Sequence, residues 1–177
     1  MSVETPFPAT IDGRPARSDD LGPLAFSGYA HFTAMQVRGA RIRGLDLHLD
    51  RLRTASLALF GQALADDEVR MHLKQALRGH RDCSMTATVY VPGGEFAVPD
   101  AATRPRVLVR TGPAASGPEG PLDLAVVEHE RFMPELKHVG ESAKTFFLRQ
   151  AVSQGFGGAA FVDRHGRLSE GTIWNLA

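Results

Sequence analysis

The stretch ELKHVGESAKTFFLRQAVSQGFGGAAFVDRHGRLSEGTIWN, residues 135–175, decides how this chain is read. A lysine, Lys137, stands just ahead of a helical run, SAKTFFLRQAVSQGF. A strand is expected at 160–163, then a hairpin turn closing at Gly166, then Glu170 within the string SEG. A helix, one strand and a turn separate Lys137 from Glu170. That is enough chain to double back and bring amine and carboxylate into one pocket. An amine facing a carboxylate, with apolar packing behind it, suits Schiff-base chemistry better than ordinary surface charge.

Outside this stretch, composition sets the bounds. The chain of 177 residues is long enough for one large domain or two small ones, and 43% hydrophobic residues supply a core. Twenty basic residues balance twenty acidic ones, so nothing in the charge calls for nucleic acid or an anionic membrane as a partner. Cys83 is the single cysteine, which excludes a disulfide framework and a cysteine zinc site. No metal is expected at His129 or His138 either, because neither belongs to an HExxH-type spacing. The N-terminal letters do not form a signal peptide, and no apolar run reaches transmembrane length. These features fit a soluble, cytoplasmic protein.

Taken in order, the chain opens with prolines and a short strand around Thr10-Ile11, turned by Asp12-Gly13. Residues 29–37 alternate as a strand, Arg38-Gly39-Ala40 turns, and 41–43 returns, making a β-hairpin. Leu45, Leu49, Leu52 and Ser56 or Leu57 then recur at helical spacing, with Asp46 as the expected N-cap and Gly61 as the stop. A second helix is expected over 66–78, capped by Asp66 or Asp67 and ended by Gly79. Residues 84–91, SMTATVYV, alternate and are rich in β-branched side chains, so they read as a strand. Pro92-Gly93-Gly94 turns the chain, and 106–110 is a further strand. The Gly- and Pro-rich string at 112–121 reads as a linker. The expected division is a small α+β domain at 1–112, a linker at 113–120, and a second domain from 121 to 177.

The pattern resembles the fold-type-IV pyridoxal-phosphate (PLP) enzymes, which include branched-chain and D-amino-acid aminotransferases and aminodeoxychorismate lyase. The resemblance rests on Leu136-Lys137-His138, the helix end at Gln150 to Gly155, the strand Ala160-Phe161-Val162-Asp163, Gly166, Ser169-Glu170-Gly171 and Asn175, with HLDRL at 48–52 upstream. It implies an α+β, two-domain fold of the D-amino-acid aminotransferase type, and pyridoxal 5'-phosphate as cofactor. It also implies transfer of an amino group from an amino acid to a 2-oxo acid, in a homodimer. Two alternatives stay open: a lyase acting on an aminodeoxychorismate-like substrate, and a relative that binds PLP or another small ligand without turnover.

The resemblance also implies roles for single residues. Lys137 would carry the aldehyde end of PLP and move a proton, tasks that need an amine neutral part of the time, as burial and a nearby cation promote. Glu170 would face the pyridine nitrogen and keep the ring protonated. Arg51 would hold the phosphate through its planar fork, whereas Arg53 points elsewhere on the helix. Lys144 reads as a solvated or snorkelling side chain. His31, Phe32 and Thr33 fall on the first pocket strand, and Phe32-Thr33 is closest to the lyase branch, as is LKH. Where the family has Gly-Asp-Gly, this chain has Ser27-Gly28-Tyr29-Ala30, so the substrate does not carry over by analogy. Ser142 stands where branched-chain aminotransferases have tyrosine. Family members continue well beyond the asparagine matched by Asn175, so the expectation is a fragment with an incomplete second domain, holding PLP weakly on its own.

Overall fold

The computed structural model describes residues 8–25, 27–93, 96, 98, 100, 102–117 and 119–173. Gly94, Asn175 and the end of the TIWNLA stretch lie outside the described residues. The chain divides into two compact units, one of Met1–Ala115 with Leu136–Gly140, the other of Ser116–Glu135 with Glu141–Ala177.

In the first unit the elements run β1 (Ala9–Ile11), β2 (Arg14–Pro15), a 3-10 turn (Ser18–Leu21), α1 (Gly22–Ala25), β3 (His31–Arg38), β4 (Arg41–Ile42), α2 (Leu45–Phe60), α3 (Asp66–Ala76), β5 (Cys83–Tyr90) and β6 (Arg106–Gly112). The strands form one antiparallel sheet in the order β2-β1-β6-β5-β3-β4. Alternation along CSMTATVY sends Cys83, Met85, Ala87 and Val89 into the core. On α2, Leu49, Leu52 and Ser56 are buried as their spacing requires, while Leu57 is half exposed. Each buried leucine contributes about 1.5–3 kcal/mol against an exposed one.

Both helix caps differ from expectation. α2 begins at Leu45 behind Gly44, which adopts a left-handed conformation (φ 64°). Asp46 falls inside the first turn, where its carboxylate pairs with Arg70 of α3. α3 begins behind Ala65, so Asp66 and Asp67 also lie inside the first turn. An acid there favours the positive end of the helix dipole without bonding a free amide. α3 stops at Ala76 rather than reaching residue 78.

β4 covers only the Val37–Arg38 end of β3, which leaves the rest of that strand edge without a ladder. Leu136–Gly140 pairs with the start of it, at Ala30–Phe32. Phe32 N donates to Lys137 O at 2.8 Å, Val139 N donates to Ala30 O at 2.9 Å, and His31 and His138 face each other across an isolated antiparallel bridge. Leu136 is buried, and Val139 packs against the cluster of Ile11, Ala30, Tyr90 and Leu108. This pairing groups Lys137 with the first unit, whereas the sequence reading assigned it to the second.

The second unit holds β7 (Leu124–Glu128), α4 (Ser142–Ser153), β8 (Gly158–Val162) and β9 (Leu168–Gly171). β7 and β8 are parallel, as strands joined through a helix can be, and β9 returns antiparallel to β8. Phe147 of α4, with Ala125 and Val127 of β7, packs on Ala151, Ala159 and Phe161. The β8–β9 turn is built by Asp163 and Gly166. Gly166 adopts φ 73°, its N–H donates to Asp163 O, and the Asp163 carboxylate accepts from the N–H groups of His165 and Arg167. Those bonds, the Arg167 amide foremost, hold the Asp163 carboxyl down at about 2.

Candidate functional site

β3 splits the His31-Phe32-Thr33 triplet between two faces. His31 and Thr33 are fully buried toward α2. His31 Nε2 and Ser56 Oγ share a hydrogen bond of 2.9 Å, and Thr33 Oγ1 and His48 Nδ1 share one of 2.7 Å. Ser56 and His48 are two turns apart on one helix face, so the two bonds fix the rotation of α2 against the sheet. Burial pushes His31 down to about 4, so its imidazole is neutral near pH 7. Burial first, then the charge of Arg51, pushes His48 down as well.

The helix so fixed carries both candidate arginines. Arg53 is committed to structure, with Asp50 at 2.5 Å and Asp66 at 2.6 Å. Arg51 is exposed and makes no ion pair among the described residues. Two guanidiniums two residues apart therefore differ in availability, and Arg51 is the one left to bind an anion.

Phe32 points to the opposite face of β3 from His31. The Lys137 Nζ sits over its ring, 5.0 Å from the centroid, within cation–π range. Lys137 is half-buried, and its carbonyl accepts from Phe32 N of β3. The approach of this segment is close. A Cβ on Gly140 would lie 2.9 Å from the carbonyl oxygen of Gly28.

In the second unit Glu170 lies on β9 directly opposite Phe161. Lys144 Nζ donates to Glu170 Oε2 at 2.5 Å, and Arg131 Nε lies 3.6 Å from Oε1. Lys144 is thus a partly buried partner of Glu170 rather than a solvated side chain. Its helix explains why. Lys144, Phe147 and Ala151 follow the i, i+3, i+7 stripe that α4 turns toward the sheet, and Ala151 is buried there. That periodicity was readable from sequence. The approach of Arg131 was not, since it depends on how the loop after β7 returns. His129, in the same loop, has its ring against Phe147 and Phe161, with centroids at 5.4 and 4.9 Å.

Lys137 and Arg51 therefore belong to one unit and Glu170 to the other. Among the described residues no group of three or more His, Cys, Asp or Glu side chains could hold a metal ion, and no helix is long and apolar enough to cross a membrane.

Comparison with known proteins identifies the fold. No curated protein matches the sequence. Among solved structures, the branched-chain amino acid aminotransferase of Thermobaculum terrenum in its PLP form aligns with a TM-score of 0.74 at 17% identity, over 93% of this chain and 61% of that one. The branched-chain aminotransferase of Thermoproteus uzoniensis with norvaline gives 0.77 at 17% identity, over 93% and 62%. A protein described as a 4-amino-4-deoxychorismate lyase from Legionella pneumophila gives 0.67 at 21% identity, over 88% and 59%. The chain thus has the α+β architecture of the fold-type-IV aminotransferases and spans about three fifths of the length of these structures. The sequence profile described as amino-transferase class IV matches residues 30–177, most of the chain. A match of that extent, reached over the fold just described, makes this chain a member of the class IV aminotransferase family.

Proposed function

We propose that this chain is the PLP-binding part of a class IV aminotransferase, transferring an amino group from an amino acid to a 2-oxo acid. The observation that carries the reading is the seating of Lys137. Its carbonyl accepts from Phe32 N, and two residues on Val139 N donates to Ala30 O, so the backbone that carries its amine is set by a sheet edge. Taken one by one, the residue types suit the parts of the cofactor: an amine for an aldehyde, an available guanidinium for a phosphate, and a carboxylate for a ring nitrogen.

When bound, PLP supplies an electron sink for the charge left as a proton leaves the substrate α-carbon. Arg51 donates to the phosphate oxygens. Glu170 accepts from the protonated ring nitrogen and keeps that proton in place. Lys137 Nζ would hold the aldehyde end of the cofactor and, once freed by the substrate amine, would carry the α-proton from the substrate carbon to the cofactor. The protein would work as a homodimer in the cytoplasm on a small amino-acid substrate.

A lyase reading stands second, because Leu136-Lys137-His138 and Phe32-Thr33 are closest to the lyase branch. Borohydride reduction of the PLP-loaded chain followed by peptide mapping tests the proposal. The pyridoxyl group is expected on Lys137, and finding it on Lys144 or Lys74 would overturn the assignment. A panel of amino donors and 2-oxo acids then separates transamination from a lyase. A labelled chain that turns over no substrate would be a binding relative.

A further inference from the structure

We infer that Lys144 is a positioning residue for Glu170: it anchors Oε2 and leaves Oε1 as the oxygen that meets the cofactor ring nitrogen. The inference rests on the reading of Glu170 proposed above. Lys144 Nζ bonds Oε2 at 2.5 Å, with the two side chains 17% and 25% exposed. Arg131 Nε stands at 3.6 Å from Oε1, too far for a hydrogen bond, and Arg131 instead donates through Nη2 to the carbonyl of Pro134. Oε1 therefore accepts no hydrogen bond among the described residues.

A carboxylate offers about four lone-pair sites, so one anchored oxygen leaves the other free to accept. A partly buried ion pair returns little net stability, because both charges lose water to form it. What it does supply is orientation. A glutamate has three side-chain torsions, and a bond to an amine on a packed helix removes most of that freedom. Arg131 adds a second positive charge nearby, which keeps the carboxylate facing that side of the unit. His129 borders the same region, its ring against Phe161, the strand partner of Glu170.

The test is PLP titration, read by the absorbance of the bound cofactor, on wild type, Lys144→Met, Glu170→Gln and the double variant. Groups that orient metal ligands cost about tenfold or more in affinity when removed, and by the same logic Lys144→Met should weaken PLP affinity about tenfold in the wild-type background. In the Glu170→Gln background it should change affinity by less than about twofold. Lys144→Arg, which keeps a charged donor, should recover most of the loss. Circular dichroism of the cofactor-free variants checks folding. If the methionine variant unfolds, Lys144→Gln, which keeps a donor without charge, takes its place. Undiminished affinity in Lys144→Met, or the same loss in both backgrounds, would overturn this inference alone. Unchanged affinity and spectrum in Glu170→Gln would instead remove Glu170 from the site, and the inference with it.

Discussion

His31 shows how a single side chain can couple folding to acidity. In the folded chain burial lowers it from 6.5 to about 4. Between those values the unfolded chain binds a proton that the folded chain refuses. Unfolding then takes up protons, so stability falls as pH drops from 6.5 toward 4. At 1.36 kcal/mol per unit the loss is about 3 kcal/mol by pH 4. His48 is lowered by burial and by Arg51 and adds to the acid side of its own ordinary value. Asp163, held at about 2, acts only below the usual carboxylate range. Urea unfolding of wild type and His31→Asn across this window isolates His31. The slope should flatten in the variant, and parallel slopes would mean that His31 protonates without cost. Sequence placed His31, Phe32 and Thr33 together on one strand, and alternation alone separates them into a helix-facing pair and a ring under Lys137. The availability of Arg51 over Arg53 was harder to read, because it turns on Asp66, a residue of a different helix.

At the level of elements, the regular strands and helices were the readable part. The β5 sequence alternates in letters and in burial alike, and the β8–β9 turn follows from Asp163 and Gly166. Helix starts were not readable, since a left-handed glycine before α2 takes the place of a side-chain cap. Nor does sequence reveal that the residues around Lys137 pair with the start of β3, a strand about a hundred positions earlier. Gly140→Ala tests how tightly that edge is closed. The added Cβ meets backbone at Gly28, which cannot rotate away as a side chain can. The expected cost is about 1–3 kcal/mol, as for other overpacked positions. Hydrogen exchange at the Phe32 and Val139 amides should accelerate with it. Unchanged exchange at both would show that the segment has slack.

For the whole molecule, the Gly- and Pro-rich string at 112–121 contains the Ala115–Ser116 division between the units. The return of Leu136–Gly140 to the first unit has no compositional mark, because it is made by backbone bonds and one buried leucine. It also governs the order in which the protein can fold as it is made. A chain leaving the ribosome has emitted every named strand and helix of the first unit by residue 112, yet part of the β3 edge still waits. Closure comes only after residue 140, when β7 is already out. Released chains truncated at 135 and at 140 should therefore differ in protease resistance over 1–115, the longer one being the more protected, and equal resistance would refute the delay. Synthesis thus withholds the last strand edge of the first unit until the segment bearing Lys137 arrives, so the amine and the finished sheet come into being in the same step.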